Sequence, residues 1–356
     1  MAGSCRAKIT IDLAALRHNF QRVRQTAPNS KIMAAVKANA YGHGMVKVAQ
    51  ALDEADAFAV ATLGEALTLK QAKISQPIVI LGGFIDLDEL ATVVEQGIIC
   101  VLHSAYQLDL LEEQPPAGLK VWIKLDSGMH RLGFPLEEVE RVKNRLEKLD
   151  GIEVCGWMSH FSDADDTQNS KTQRQIDAFQ QATQDLAGEY SLANSGGILG
   201  WKHSHLDWVR PGIMLYGSSP FADKTAEELD LRPVMHFESR IMAINDLQKG
   251  DCIGYGSSWK CPEDMAVGVV SVGYGDGYPR HAVSGTSVLV NGELVSLIGR
   301  VSMDMITVDL RSQPDAKVGD SVVLWGRGIA VDSVAKGATT ISYELLCNVT
   351  QRVLRN

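Results

Sequence analysis

Residues 57–102 read AFAVATLGEALTLKQAKISQPIVILGGFIDLDELATVVEQGIICVL, and this stretch decides the fold. Three short apolar runs, 57–61, 77–81 and 98–102, have the length and β-branched content of strands. The longer segments between them, 63–73 and 86–96, space their apolar residues as amphipathic helices do. Strand runs without polar alternation belong to a parallel sheet covered on both faces. Outward from this core the alternation continues. Upstream lies KIMAAVK (31–37), followed by a helical pattern at 44–54. Downstream come strand runs at 119–126 (LKVWIKLD), 152–159 (IEVCGWMS), 190–194 (YSLAN) and 207–212 (DWVRPG). Helical patterns at 104–113, 135–149 and 168–187 separate most of them, and the link 194–207 has room for about two helical turns. Eight strands alternating with helices predict an α/β fold, a (β/α)8 barrel of the TIM type.

The last third changes character. From about residue 232 closely spaced β runs take over, at 234–245, 265–272, 286–290, 294–299, 305–310 and 320–325. Asn291-Gly292, between VLV and ELV, is a two-residue hairpin signal. The expected organisation is a barrel over 1–231 and a mainly-β domain over 232–356, ending in one helix near 341–350.

With 356 residues, 45% of them hydrophobic and 22% charged, the chain has the composition of a two-domain globular protein. Its net charge of −9 argues against a nucleic-acid partner, which requires a clustered basic excess. Six cysteines, at 5, 100, 155, 252, 261 and 347, form no CxxC pair and fit a reducing compartment. The N-terminal MAGSCRAKITIDL has no apolar signal-peptide core, and no apolar run is long enough for a membrane span. A cytoplasmic protein is expected.

In such a barrel the chemistry collects just beyond the C-terminal ends of the strands. That rule selects Lys37 with Tyr41 after the first strand, and Lys124 and Arg131 after the fifth. It adds His160 after the sixth, Ser195 after the seventh, and Arg210, Gly212 and Ile213 after the eighth. A lysine behind IMAAV is partly desolvated, which lowers its pKa and makes it a competent amine for an aldehyde cofactor. Ser195 with the backbone at Gly212 and Ile213 falls where barrels often hold a phosphate. Arg210 is placed to meet a cofactor ring nitrogen and Tyr41 a phosphate oxygen. Taken singly, each of these side chains has an ordinary structural reading, such as a snorkelling lysine or an ion-paired arginine. Their convergence on one end of one barrel points to a site.

VKANAYGHG (36–44) resembles the pyridoxal-phosphate lysine motif of alanine racemases. SGMHRLGF (127–134), WMSHF (157–161), DWVRPGIMLYG (207–217), GYG (254–256), GYGDGYPR (273–280), GRVSMD (299–304) and SYELL (342–346) resemble further motifs of that family, in family order. The resemblance implies that Lys37 carries pyridoxal 5'-phosphate and serves as one catalytic acid/base, with Tyr255 as the other. It implies that Tyr41, Ser195, Tyr343, Gly212 and Ile213 hold the phosphate and that Arg210, beside His160, meets the pyridine nitrogen. Arg131 and Met303 would bind the substrate, Tyr274 would narrow the entrance, and Lys124 matches a position that can carry a carbamate. It further implies a homodimer in which Tyr255, Tyr274 and Met303 reach the partner's barrel, and no metal. Two departures are small: His130 lies in a loop where relatives vary, and Ser302 stands where many relatives have cysteine.

The chemistry explains the residue types. Removing an α-proton requires an electron sink, which such a cofactor supplies. Racemisation then needs a base on one face and an acid on the other. The expected reaction is interconversion of L- and D-alanine, for peptidoglycan synthesis or alanine catabolism. Rival readings are a broad-specificity or serine racemase of the same fold, a related decarboxylase, a barrel-only pyridoxal-phosphate-binding protein, and a metal-dependent hydrolase using His203, His205 and Lys124.

Overall fold

The computed structural model describes residues 7–355. Residues 1–6, with Cys5 and the start of the stretch read as lacking a signal peptide, lie outside the described residues, as does Asn356.

Eight parallel strands form the barrel: Lys31–Ala35, Ala57–Val60, Ile78–Ile80, Ile99–Leu102, Leu119–Asp126, Ile152–Met158, Glu189–Ser191 and Trp208–Val209. Each pairs with the next in chain order, and Trp208 pairs with Lys31 to close the circle. The last two strands are shorter than their apolar runs, because Asn194, Arg210 and Gly212 have left the sheet to line a cavity. The helices begin where short polar side chains can cap them. Thr62 accepts the Glu65 N–H ahead of Leu63–Gln71, and Asp86 accepts the Glu89 N–H ahead of Leu87–Glu95. The helical pattern at 135–149 becomes a 3-10 turn, Leu136–Glu138, and then a helix, Val139–Leu146, because Pro135 sets the entry.

Met33, Ala57, Ala59, Val79, Val101, Trp122, Met158 and Trp208 fill the barrel interior. The Trp122 and Trp208 rings meet edge-on with centroids 6.0 Å apart. Burying large apolar side chains of this kind contributes about 1.5–3 kcal/mol each relative to exposure. Nearer the C-terminal rim the strands end on Ala35, Ala59 and Ala61. The interior is plugged below by tryptophans and hollow above.

The second domain is built on the long strand Met235–Leu247. One half pairs with Ser321–Trp325 and the other with Met265–Val270, with irregularities at Phe237/Glu238 and Ile241/Ala243 that bend it. Ile306–Asp309, Glu293–Ile298 and Ser287–Val290 complete a closed antiparallel circuit between those two partners. Asn291 (φ 52°) and Gly292 (φ 87°) form the expected hairpin turn.

Two features depart from the sequence reading. The sequence pattern places 1–231 in the barrel, yet Lys8–Ile11 pairs antiparallel with Met235–Leu247 and parallel with Leu354–Arg355. KITI buries alternate residues, which suits an antiparallel sheet with one covered face. The helix expected near 341–350 is Ser342–Cys347, and a further helix, Val331–Gly337, precedes it, with Thr339 turning left-handed (φ 52°) between them. No helix among the described residues is long and apolar enough to cross a membrane.

Candidate active site

Lys37 follows the first barrel strand and opens an unusual turn. Ala38, Asn39, Ala40 and Tyr41 all have φ between 50° and 54°, four non-glycine residues in the left-handed region. Each costs about 1–2 kcal/mol against the right-handed alternative, so the turn must be held from outside. Asn39 Oδ1 accepts the Met45 N–H at 2.9 Å, and the His43 Nδ1–H faces the carbonyls of Ala40 (2.9 Å) and Tyr41 (2.8 Å). Arg355 Nη1 donates to the Gly42 carbonyl at 2.6 Å, and Glu65 Oε1 accepts the Ala38 N–H at 2.6 Å. Gly42 (φ 81°) lies so close to the last helix that a Cβ there would stand 2.1 Å from the Leu346 carbonyl oxygen.

The turn aims Lys37 into a cavity of about 530 Å³ at the C-terminal rim. Lys37, Tyr41, Lys124, Arg131, His160, Ser195, Arg210, Gly212, Ile213 and Tyr343 all line it, together with Cys347. No aspartate or glutamate is among the lining residues. Four cationic side chains share a space without a carboxylate, and the electrostatics follow. Burial, then Arg131 and Arg210, lower the pKa of Lys37. Lys124 is pushed down to about 8 by burial and by Arg210, Arg131 and Lys37.

Arg210 is fully enclosed and pushed down to about 10 by burial, which leaves it charged near neutrality. Its Nη1 donates to Ser191 Oγ at 2.5 Å, and its Nη2 to the carbonyls of Ser159 (2.5 Å) and Leu192 (3.2 Å). The same Nη2 stands 3.3 Å from His160 Nδ1. Burial and Arg210 hold His160 well below the usual histidine range, so its ring is a neutral acceptor toward the guanidinium.

Across the cavity Ser195 Oγ accepts the N–H groups of Gly212 (2.9 Å) and Met214 (3.3 Å), which leaves its own proton to donate. The Ile213 N–H opens the 3-10 helix Ile213–Tyr216 and has no partner within it. A side chain at Gly212 would come within 2.7 Å of Tyr41 Oη, so the backbone and the phenol form one concave corner. Tyr41 stacks on Tyr216 with centroids 4.8 Å apart, and the tilted Tyr343 ring lies 5.9 Å from it. Burial raises the pKa of both Tyr41 and Tyr343, keeping them as neutral hydroxyls.

Tyr255, Tyr274 and Met303 do not reach this cavity within one chain. Tyr255 is 68% exposed and borders a separate hollow with Arg300. Tyr274 borders another, with Arg280 and Glu344, and Met303 is 52% exposed. Tyr274 and Met303 are neighbours: the Tyr274 N–H donates to the Ser302 carbonyl and the Gly275 N–H to that of Met303. His203 and His205 do not line the cavity, and the His205 Nε2 is 2.9 Å from the Ile198 carbonyl oxygen.

Of the residues that brace the lysine turn, Asn39 and His43 lie in the quoted motif, whereas Glu65 and Arg355 escaped the sequence reading. Glu65 carried one signal, its place three residues after Thr62 at a helix start. Arg355 carried none.

Comparison with known proteins places this geometry. Residues 11–220 match the alanine racemase N-terminal domain and residues 234–356 the alanine racemase C-terminal domain. An alanine racemase of Nitrosococcus oceani is 53% identical over 348 residues, 97% of each chain. The crystal structure of a biosynthetic alanine racemase from Pseudomonas aeruginosa superposes with a TM-score of 0.96 at 43% identity, covering 99% of both chains. Another, an alanine racemase from Bartonella henselae with covalently bound pyridoxal phosphate, has a TM-score of 0.88 at 31% identity over 99% of each. Both domain models and near full-length relatives agree, and the chain belongs to the alanine racemase family.

Proposed function

We propose that this protein interconverts L- and D-alanine, using pyridoxal 5'-phosphate held at Lys37, in a homodimer that completes each site. The observation that carries the reading is the carboxylate-free cavity into which Lys37, Lys124, Arg131 and Arg210 all project. Such an excess of positive charge suits a phosphate and a substrate carboxylate together. The corner made by Tyr41, Ser195, Gly212 and Ile213 fits the phosphate, and Tyr343 borders the same space. When bound, the cofactor supplies the electron sink for the pair left as the Cα proton departs.

The chain's own groups do the rest. Lys37 Nζ, its pKa lowered by burial, takes or gives the Cα proton on one face of alanine. Tyr255 Oη, contributed by the second copy of the chain, serves the opposite face. Its 68% exposure and its distance from the cavity lining favour that assignment. Tyr274 and Met303 belong to the same outward surface and would close the entrance beside Tyr343, which keeps the pocket small enough for a methyl side chain. Arg210, fixed by three acceptors and beside a neutral His160, would hold the ring nitrogen of the cofactor as a hydrogen-bond donor that does not give up its proton. Arg131 receives the substrate carboxylate. Lys124, with a pKa near 8, has enough neutral amine near neutrality to add carbon dioxide, and the resulting carbamate would pair with Arg131. The scattered cysteines favour a cytoplasmic setting.

Chiral chromatography of protein supplied with pyridoxal phosphate and, separately, L-alanine, L-serine, L-lysine or L-arginine tests this. Rapid approach of L-alanine to an equal mixture, with slow turnover of the others, is expected. Equal turnover of lysine or arginine would move the protein to the broad-specificity class, and no turnover of any would sink the reading.

A further inference from the structure

Glu65 takes no part in the proton transfers above and does not line the cavity. It is the third residue of the helix Leu63–Gln71, one strand away from Lys37. At such a position a glutamate ordinarily folds back on the start of its own helix. One oxygen does so: Oε2 accepts the Ala61 N–H at 2.7 Å. The other crosses to the neighbouring strand end, where Oε1 accepts the Ala38 N–H at 2.6 Å. Helix capping accounts for the first bond and not for the second.

We propose that Glu65 is a positioning residue for Lys37: its carboxylate fastens the left-handed turn to the adjacent strand and so fixes where Nζ stands. The Ala40 N–H reaches back across Lys37 to the Val36 carbonyl at 2.8 Å, while the bonds from Gly42 N–H to Ala38, His43 N–H to Ala40 and Gly44 N–H to Asn39 secure the later part of the turn. Asn39, His43 and Arg355 do the same from their side chains. The Ala38 N–H, one residue after Lys37, is held by Glu65. An Ala38 amide released from Glu65 would let the strained backbone relax at the residue that carries the amine.

The charge of Glu65 reinforces the position. The groups that act on Lys37 are Arg131 and Arg210, which disfavour its ammonium, and Glu65 and Cys347, which favour it. Lys124 and His160 each respond to Lys37 from the other side of the cavity. Glu65 therefore supplies a carboxylate to a cluster whose lining has none, from behind the turn and out of the substrate's way. The proposal deepens, and rests on, the reading of Lys37 as the cofactor lysine.

The test compares wild type, Glu65→Gln, Glu65→Asp and Thr62→Ala as full-length proteins, loaded with cofactor and again after the cofactor is stripped. Thr62→Ala removes the hydroxyl that accepts the Glu65 N–H and leaves the carboxylate in place. In the stripped proteins, hydrogen exchange of a peptide covering 36–44 reports the turn, and acetylation of Lys37 against pH reports its amine. Glu65→Gln is expected to speed exchange by at least ~10-fold and to lower the pH at which Lys37 reacts, since the ammonium loses a counter-charge. In the loaded enzyme kcat should fall by roughly 10–100-fold with little change in KM. Glu65→Asp should fall between, and Thr62→Ala should lower the melting temperature alone. Unchanged exchange and an unchanged Lys37 titration in folded Glu65→Gln would overturn the proposal, as would the same shifts in Thr62→Ala. Should Glu65→Gln not fold, the same criteria apply to Glu65→Asp. Borohydride reduction separates the two levels of inference. A wild-type protein in which it links no cofactor to Lys37 overturns the functional reading, while exchange and acetylation still decide what Glu65 does.

Discussion

Lys37 and Tyr255, the two residues proposed to handle the proton, are built in opposite ways. Lys37 opens a strained turn gripped by Glu65, Asn39, His43 and Arg355 and faces a cavity of fixed charge. Tyr255 rides on a short 3-10 turn between Gly254 and Ser257, both at positive φ, with most of its surface open. One half of the chemistry is preorganised inside a single chain. The other is displayed on the outside of a different domain. A two-face reaction needs both, and the asymmetry fits the proposed dimer, in which association rather than folding would complete the site.

Four variants would break or sharpen this contrast. Lys37→Ala should have the largest effect, a loss of racemisation on the order of 10^4-fold or more together with loss of covalent cofactor, read by chiral chromatography and by absorbance. Tyr255→Phe should cost roughly 10^2–10^4-fold while leaving cofactor binding intact. Mixing these two inactive proteins should restore about a quarter of wild-type activity, because exchange gives half heterodimers with one sound site each. No recovery despite proven subunit exchange would place both residues in one chain's site. Arg210→Gln ranks third, with a loss of roughly 10–100-fold, as a shorter neutral amide replaces the buried cationic donor.

The smallest effect concerns stability. His43 is wholly buried, and burial pushes its pKa down to about 4. Its folded value lies below the ordinary 6.5, so the unfolded chain takes up the proton first as pH falls. Stability is therefore lost between pH 6.5 and about 4, at up to about 1.4 kcal/mol per pH unit for this one group. Denaturant titrations of His43→Gln across that range should show a limb shallower by about one proton. An unchanged slope would remove His43 from the turn's supports.

Much of the barrel was legible because a parallel strand buried on both faces must be continuously apolar, as IVIL at 78–81 and ICVL at 99–102 are. Once the strands were placed, their C-terminal ends led to Lys37, Lys124, His160, Ser195 and Arg210, which line one cavity. What could not be read was held by long-range contacts. Within Ala38–Tyr41 only Asn39 is at ease in the left-handed region; the two alanines favour the right-handed helix, and Glu65 and Arg355 hold the conformation from outside. KITI at 8–11 is too short to declare its partner, which arrives more than 220 residues later in the chain. The distance of Tyr255 from Lys37 depends on how two domains pack, and periodicity carries no information about that.

The pairing of Lys8–Ile11 with Met235–Leu247 and Leu354–Arg355 has a consequence in time. During synthesis the first strand emerges early and waits, an unpaired edge, while the whole barrel is made behind it. It can dock only when residues 235–247 appear, and the parallel strand beside it forms only when residue 355 has left the ribosome. Arg355 is also the residue whose guanidinium reaches the Gly42 carbonyl. The lysine turn thus receives one of its hydrogen bonds from a residue translated 313 positions after it. A nascent chain stalled before residue 355 would carry all eight barrel strands and a lysine turn still lacking that hydrogen bond.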